Sequence, residues 1–570
     1  ERLNLELQKK LPADLFKILL PAAQSASGLS PGWFGRLNIA SNNWVVGPDK
    51  SASGAPILAN DPHLALGAPS IWYLAHIVTP EMSWVGVTSP GFPMLVIGAN
   101  DDVAWGFTTT GGDTEDLFEE RVAEGNPDHY ETPDGPKAFD IRKETIKIKG
   151  AADLPVTIRS TRHGPVVSDL DEDRKPDDPI FALSAVFELP DDKTPDALLA
   201  MNFARSADAF HAALADFAVP EQNVVYADRD GHIGFMAAGR VPLRKKIYMS
   251  GLLPAPGWSG DYDWTGTLPP AVLPQSFDPP DGWLATANNR IVDDAYPSFI
   301  AGRWAGDERY RRIAELLQAK PKLSVADMEA MQMDDLSQPL HDLVESWLPR
   351  LKGAEPEIAG MLAKWDGRMD RDRPEPLIAT LWMQQTAERL LAKPLGNLFS
   401  DWWFWDDQTL KALLASDRWC SDEANCGAVL TKSLQDAVSL LKAKLGDDPG
   451  QWKWGAVHRM HFQHPIFRYL PLISRWLDPD LPTDGDNFTL NRGVPIVLPD
   501  SIAMPDVHGP TMRFVVDMKN PMEAVAALAG GQSGNPFSPS YDDWLADWRD
   551  GHYRTIVQPP IHTLKLEPKP

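Results

Sequence analysis

The sequence has 570 residues, a formal net charge of −25, 43% hydrophobic residues and 23% charged residues. The acidic excess argues against a nucleic-acid-binding protein, which needs a basic face, and against docking on an anionic lipid surface. The composition is that of a globular protein, and because no window holds about 18 consecutive apolar residues, no membrane-spanning helix is predicted.

The N-terminal region differs from the start of a complete gene product. It begins at Glu1 without Met and without a recognisable signal peptide, so we expect the chain to be a piece of a longer product. Apolar residues recur at helical spacing from about Leu3 to Ile18, which predicts a short amphipathic helix. A stretch rich in small residues, Pro and Gly follows from Ala22 to Gly35.

The next part of the chain alternates short apolar segments with Gly, Pro, Asn and Asp, a pattern that predicts strands of a layered sheet. These strands are Ser41–Val46, Pro56–Ala59, Ile71–Val78, Leu95–Ala99 and Val103–Phe107, with more near 143–148, 156–160, 223–227 and 232–237. Apolar spacing of three and four predicts helices at 195–217, 338–352, 375–392 and 430–444. Turns and short strands return after residue 480. Strands, then helices, then strands predict an α+β protein with a helical insertion.

Cys420 and Cys426 are the two cysteines of the sequence, with five residues between them. Two interpretations stay open. The pair closes a small disulfide loop, which fits an oxidising compartment, or the residues are unrelated thiols.

Two other patterns are weak as functional signals. Ser533 lies in a glycine-rich run, but Asn535 stands where the G-x-S-x-G nucleophile elbow needs its last Gly, so we do not assign it as a nucleophile. His458, His461 and His464 recur every three residues. They could reach a zinc ion from a helix, whereas on a strand His461 would face away from the other two.

The most informative motif is ASNNWVV at 40–46, in which a serine begins a predicted strand. The motifs that follow it are ANDPHL at 59–64, WGFTTTGGDTED at 105–116, QNVVYAD at 222–228, ATANNR at 285–290, HGP at 508–510 and GGQSGNPFSPSY at 530–541. Taken in this order, they resemble the penicillin acylase family of N-terminal nucleophile hydrolases. The likeness runs from about residue 37 to about residue 555.

The resemblance implies an α+β fold, a four-layer αββα sandwich with a mostly helical insertion at about 306–445. It implies that residues 1–40 are the tail of a small chain plus a spacer peptide, and that 41–570 are the large catalytic chain. In this family the precursor cuts itself before a serine, here between Ala40 and Ser41. Ser41 then supplies the nucleophilic hydroxyl and, through its freed α-amine, the base.

The family match also implies the groups around the nucleophile. The side-chain amide of Asn288 and the backbone N–H of Thr109 would stabilise the oxyanion, although Thr108 and Thr110 compete for the position of Thr109. His63 would hold the Ser41 α-amine or a nearby water.

Arg309 resembles the family arginine near the oxyanion asparagine and the substrate carboxylate. Arg311 and Arg312 are close competitors for this role.

A structural calcium site is implied by the same resemblance. Its ligands would be Asp113, Asp116 and the main-chain oxygens of Glu115 and Pro242, together with a small-chain Glu. Ile300 stands where the family has a further Asp, although Asp293 or Asp294 could take that place.

The residues expected to line the acyl pocket, Leu64 and Ile97, are aliphatic rather than aromatic. They put a benzyl pocket in doubt and favour acylases of cephalosporins or acyl-homoserine lactones.

The function predicted from the resemblance is hydrolysis of the side-chain amide of penicillin-like or other N-acyl substrates, without an organic cofactor. The small chain would be the protein partner, and the location periplasmic or secreted. The alternatives are a non-catalytic family member that acts as a binding protein, and a glycosidase suggested only by the acidic, tryptophan-rich composition.

Overall fold

The computed structural model describes residues 1–20, 40–175, 178–353, 355–399, 407–420, 425–494, 502–559 and 562–566. Its strands are, in chain order, β1 (Ala40–Val46), β2 (Ile57–Ala65), β3 (Tyr73–Val78), β4 (Ser83–Thr88), β5 (Ile97–Asn100), β6 (Val103–Thr109), β7 (Glu115–Glu120), β8 (Val122–Ala123), β9 (Asn126–Tyr130), β10 (Lys137–Ala138), β11 (Asp140–Ile146), β12 (Leu154–Thr161), β13 (Gly164–Pro165), β14 (Ile180–Ala185), β15 (Gln222–Asp228), β16 (Ile233–Ala238), β17 (Pro242–Arg244), β18 (Ala255–Pro256), β19 (Trp264–Thr267), β20 (Gln275–Phe277), β21 (Trp283–Thr286), β22 (His458–His461), β23 (Asp480–Pro482), β24 (Met504–Asp506), β25 (His508–Pro510), β26 (Met512–Asp517), β27 (Val525–Leu528) and β28 (Arg554–Thr555). Its α-helices are α1 (Arg2–Lys10), α2 (Ala13–Leu19), α3 (Thr194–Asn202), α4 (Ala207–Leu214), α5 (Glu308–Ala319), α6 (Val325–Gln332), α7 (Gln338–Trp347), α8 (Pro356–Leu362), α9 (Glu375–Leu395), α10 (Asp407–Leu414), α11 (Cys426–Leu445), α12 (Pro471–Leu477) and α13 (Leu545–Asp550).

Two seven-stranded antiparallel sheets form the centre of the fold. Sheet A has the order β21-β1-β2-β26-β27-β28, with β25 also paired to β2, and sheet B has the order β20-β16-β15-β6-β5-β4-β3. Strands β1 and β2 of sheet A pack against β6 and β15 of sheet B. Helices α3 and α4 cover the outer face of sheet B, and α5 and α6 cover that of sheet A. The predicted four-layer αββα sandwich is therefore present.

Strand β1 is buried on both faces, which fits its position inside a four-layer fold. Trp44 and Val46 pack in the cluster formed with α5 and α6, whereas Val45 packs in the cluster of sheet B. Side chains alternate along a strand, so Ser41 shares with Asn43 and Val45 the face that is directed between the two sheets. This alternation places the candidate nucleophile at the end of the interface between the sheets.

The helical region has a core of its own, built by α7 to α11 together with α1 and α2. The helical insertion was predicted from about residue 306, but α5 and α6 belong to the outer layer on sheet A. The predicted helix at 3–18 is two helices because Pro12, at the N-cap of α2, cannot continue the hydrogen bonding of α1. The predicted helix at 195–217 is also two, since Ser206 caps α4 by accepting from Ala209 N–H. The predicted spacer residues 21–39 lie outside the described residues.

Several weak sequence signals are decided by the fold. A disulfide joins Cys420 to Cys426. His458 and His461 lie on β22, where His458 is buried against the Thr483 carbonyl and His461 faces Asp480 near the surface. The strand therefore separates these histidines, as expected for period-two alternation. No helix among the described residues combines the length and the hydrophobicity needed to cross a bilayer.

The contact between the two sheets at Gly106 generates a stability prediction. A Cβ added to Gly106 would lie 2.8 Å from Cβ of Asn60, whose amide bonds the backbone of Phe107. We expect Gly106→Ala to lower the free energy of unfolding by about 1–3 kcal/mol, because the packed interface cannot accept the extra atom without shifting. In the control Gly360→Ala the new Cβ meets nothing within 4 Å on a helix, so stability should stay equal or rise. Denaturant unfolding of both variants checks this, and equal midpoints would contradict it.

Candidate active site

Ser41 is buried at the start of β1, with 4% of its surface exposed. Its backbone N–H donates to Asn288 Oδ1 at 2.8 Å, and its Oγ accepts from His63 N–H at 3.2 Å. The hydroxyl donates to the carbonyl oxygen of Ala40. The hydroxyl thus lies against the carbonyl group of the peptide bond that precedes it.

The pairing of β1 with β2 fixes this geometry. Ser41 lies opposite Pro62, and Ala40 lies opposite His63. Pro62 has no N–H to donate, and the Ser41 carbonyl oxygen accepts from Arg309 Nη1 at 2.8 Å. A side chain from α5 therefore anchors the backbone of the candidate nucleophile.

Arg309 lies in the first turn of α5 and is 5% exposed. Besides Ser41 O, its guanidinium donates to Asn42 Oδ1 and Ala287 O, each at 2.8 Å, and to Asn288 Oδ1 at 3.0 Å. Burial lowers the pKa of Arg309 to about 10, so the group is still a cation at neutral pH. It ties β1 to the segment that follows β21.

The competing arginines of α5 lie elsewhere. Arg311 pairs with Asp307 at 2.9 Å and is exposed, whereas Arg312 pairs with Asp334 at 2.8 Å. Of these three arginines, Arg309 is the one at Ser41.

Asn288 has a left-handed backbone with φ +64°, a conformation that Asn adopts more readily than most residues. Its Oδ1 accepts from Ser41 N–H and Arg309, which directs Nδ2 to the Thr109 carbonyl at 2.7 Å. The hydroxyls of Thr108 and Thr110 bond the side chains of neighbouring buried residues. The structure therefore brings Asn288 to Thr109.

His63 forms a fully buried pair with Asp61, with 2.6 Å between Nε2 and Oδ2. Asn42 Nδ2 donates to the same oxygen at 2.8 Å, and Gln332 Nε2 donates to Oδ1 at 3.0 Å. Burial raises the pKa of Asp61 to about 7. Burial, with the nearby charge of Arg309, lowers the pKa of His63 well below its usual value. The imidazole is therefore neutral at physiological pH.

Sequence reasoning did not single out Asp61, Asn42 or Gln332 as site residues. One signal was available for Asp61, because residues two apart on a strand point to the same face and His63 was already a candidate. Asn42 and Gln332 carried no such signal. Gln332 is also distant in sequence, because it lies on a helix 271 residues after Asp61.

The predicted calcium residues come together in part. Asp116 Oδ2 and the main-chain oxygen of Asp113 accept from Arg244, each at 2.7 Å. The carboxylate of Glu1 accepts from Leu117 N–H at 3.3 Å. These groups offer part of the set of about six to eight oxygens that calcium takes, and Arg244 already bonds two of them.

The other predicted calcium positions lie in different surroundings. Ile300 is buried in the core, and its carbonyl oxygen accepts from Asp113 N–H at 2.8 Å. Asp294 pairs with Arg290 at 2.6 Å near the surface. Glu115 begins β7 with an exposed side chain, and Pro242 begins β17. Calcium therefore stays a prediction from the family resemblance.

The predicted pocket residues lie in different surroundings. Leu64 follows His63 on β2 and is partly buried, whereas Ile97 is 1% exposed in the core of sheet B.

Known proteins with similar sequences show the family of this chain. The sequence model of the penicillin amidase family matches residues 1–560. The chain belongs to the penicillin amidase family. Acyl-homoserine lactone acylase QuiP of Pseudomonas fluorescens is 29% identical over 563 residues, 91% of this chain and 66% of that protein. Penicillin acylase 2 proenzyme of a Pseudomonas species is 31% identical over 585 residues, 96% of this chain and 70% of that protein.

The chain thus spans slightly less than two thirds of the length of the first of these relatives. A solved structure, the thermostable penicillin G acylase of Alcaligenes faecalis, matches with a TM-score of 0.66 and 20% identity, covering 93% of this chain and 100% of that chain. The family resemblance and the predicted fold class are both confirmed.

The pKa of His63 can be tested directly in this buried site. Because burial and Arg309 favour the neutral ring, the Cε1–H resonance of His63 should report protonation only well below the usual histidine midpoint of about 6.5. His232 is the internal control, since its hydrogen bond to Asp278 raises its pKa and it should protonate above the usual midpoint. NMR of selectively labelled histidine, assigned through His63→Gln, measures both rings. A His63 midpoint near 6.5 would contradict the geometry.

Proposed function

We propose that this penicillin amidase family member is an acylase that hydrolyses a linear amide through an acyl-enzyme on Ser41. The observation that carries the proposal is the position of the Ser41 hydroxyl against the Ala40 carbonyl, surrounded by Asn288, His63 and Arg309. The names of the relatives, penicillin acylase and acyl-homoserine lactone acylase, support the same reaction class.

The first step of the proposal is self-cleavage of the Ala40–Ser41 bond. Ser41 Oγ attacks the Ala40 carbonyl carbon, the C–N bond breaks, and the Ser41 nitrogen takes up the proton that the hydroxyl loses. Water then hydrolyses the resulting ester, which leaves a carboxylate on Ala40 and a free α-amine on Ser41. Before cleavage this nitrogen is an amide that donates to Asn288, so it cannot act as a base.

The second step is the reaction with an external amide. A free α-amine has a pKa of about 7.7–8.0, so at neutral pH a fraction of it is available to take the proton of the Ser41 hydroxyl, directly or through water. The attacked carbonyl becomes an oxyanion, for which the Asn288 amide and the Thr109 backbone N–H are the proposed donors. The C–N bond breaks, the amine leaves with a proton, and water releases the acid from the Ser41 ester.

The proposed substrates are the side-chain amides of penicillin-like or other N-acyl compounds. N-acyl-homoserine lactones and cephalosporins are the second candidates. The name of one relative supports the lactones, and the aliphatic Leu64 beside His63 favours both. Neither choice requires an organic cofactor, since Ser41 supplies both nucleophile and base.

The proposal includes a small chain from the same precursor as the protein partner, and a periplasmic or secreted location. The word proenzyme in the name of one relative supports the first point. The Cys420–Cys426 disulfide supports the second, because disulfides persist in oxidising compartments.

Substitution of Ser41 tests the proposed function. In Ser41→Ala no hydroxyl attacks the Ala40 carbonyl, so we expect an uncut chain without amidase activity. Intact mass, N-terminal sequencing and a panel of phenylacetyl, glutaryl and long-chain acyl amides check this. Ser533→Ala, which removes a turn serine, should be cut and active.

The outcomes separate the candidate functions. A parent chain that stays uncut at Ala40–Ser41 favours a non-catalytic binding protein. Normal cleavage and activity in Ser41→Ala would exclude Ser41 as the nucleophile. Sugar release with no amide cleavage would favour a glycosidase.

A further inference from the structure

A series of hydrogen bonds leads to His63 from two distant parts of the chain. Tyr553 OH donates to Gln332 Oε1 at 2.8 Å, Gln332 Nε2 donates to Asp61 Oδ1 at 3.0 Å, and Asp61 Oδ2 lies 2.6 Å from His63 Nε2. Gln332 is the last residue of α6, and Tyr553 lies just before β28. Gln332, Asp61 and His63 are almost completely buried.

Each member of the series limits the orientation of the next. A glutamine amide can be turned either way, but here its oxygen accepts from the Tyr553 hydroxyl, so its N–H groups are directed to Asp61. The reversed amide would place Gln332 Oε1 against the Asp61 carboxylate, which is repulsive and leaves a buried acceptor unpaired. The Tyr553 hydroxyl therefore orients Gln332 so that its N–H donates to Asp61, and Asp61 stays a hydrogen-bond acceptor.

The acceptor state of Asp61 decides where the proton of His63 lies. An ionised carboxylate only accepts hydrogen bonds, so the ring nitrogen that faces it, Nε2, carries the proton. Nδ1 then has a lone pair, and it is buried with no hydrogen-bond partner among the described residues. The backbone N–H of the same residue holds Ser41 Oγ at 3.2 Å, so this unpaired acceptor belongs to a residue that contacts the nucleophile.

We propose that Asp61, Gln332 and Tyr553 are positioning residues that hold His63 in the neutral Nε2–H tautomer and leave Nδ1 as an acceptor for the Ser41 α-amine or its water. The role of Nδ1 as an acceptor for the Ser41 α-amine or its water rests on the proposed function. The tautomer itself depends only on the hydrogen bonds of the uncut chain.

Charged groups around the pair set the direction of its pH dependence. The groups facing Asp61 and His63 from the packed elements are Arg309 of α5, Arg513 of β26, Arg492, His508 of β25 and Tyr553. Burial raises the pKa of Asp61, and the bond from Gln332 opposes that rise. Loss of the Gln332 bond should therefore raise the pKa of Asp61 further, so that a higher pH is needed to form its carboxylate.

Tyr553→Phe is the first test, because it removes only the hydroxyl. We expect kcat to fall by about tenfold, the loss typical of one buried hydrogen bond, with KM unchanged. The acid limb of the kcat–pH profile should move to higher pH. Tyr541→Phe is the matched control, since Tyr541 OH donates to Ala68 O and Leu477 O outside the series. It should lose stability without a change in the pH profile.

Asp61→Asn is the second test, with a larger expected effect. A carboxylate that orients a histidine also selects its tautomer, so we expect kcat to fall by more than the roughly tenfold loss of Tyr553→Phe, and the acid limb that Asp61 provides should disappear. Asp278→Asn is the control, because Asp278 pairs with His232 at 2.7 Å in an exposed pair. It should leave both kcat and its pH profile unchanged. Unchanged profiles in both Asp61→Asn and Tyr553→Phe would overturn the inference.

A measurement without activity separates this inference from the proposed function. Ring ¹⁵N chemical shifts of His63 in the uncut Ser41→Ala chain should report the Nε2–H tautomer, which should be lost in the double variant with Asp61→Asn. A Nδ1–H tautomer in the Ser41→Ala chain would overturn the inference. An inactive parent protein with the expected Nε2–H tautomer would count against the proposed function and support the positioning of His63.

Discussion

The buried guanidinium of Arg309 is the interaction on which the geometry of the site depends. It donates to acceptors on β1 and on the segment after β21, and so it fixes both the carbonyl of Ser41 and the side-chain oxygen of Asn288. A buried cation is costly unless its donors are paired. The acceptors around Arg309 meet that requirement only when β1 and the Asn288 turn are in their observed positions. Burial of the cation and the geometry of the site therefore depend on each other.

The second constraint is the exclusion of His63 from water where sheet A packs against α6. In such surroundings a neutral imidazole is favoured over a cation, and the nearby positive charge of Arg309 adds to this preference. His63 is therefore suited to accept or donate hydrogen bonds rather than to carry charge. Its protonation site is decided by Asp61 and, through Gln332, by a tyrosine close to β28.

The fold explains why the site residues have fixed positions. The ladder between β1 and β2 fixes Ser41 opposite Pro62 and Ala40 opposite His63, and each sheet is supported by helices on its outer face. A site built on the ends of paired strands has little freedom to move, because each strand is held by its ladder and by packing on both faces. Family membership agrees with this arrangement, and the solved penicillin G acylase shares the fold.

The fold class, the strand that begins at Ser41 and most of the helices can be predicted from the sequence alone, because alternation and helical spacing are local properties of the chain. The order of the motifs, which identifies the family, is also a property of the sequence. The helix breaks at Pro12 and Ser206 also have local signals, a proline and a serine at the N-caps of the second helices. Asp61 was within reach of the same logic, since it is two residues from His63.

Long-range packing selects the arginine of α5 that reaches Ser41, because all three arginines lie within four residues of one another and no local pattern distinguishes them. The same packing makes α5 and α6 an outer layer of the sandwich, pairs Cys420 with Cys426, and brings Gln332 to Asp61 and Tyr553 to Gln332. These outcomes depend on contacts between residues far apart in the chain. No local pattern encodes such contacts, because they form only when the packed layers bring those residues together.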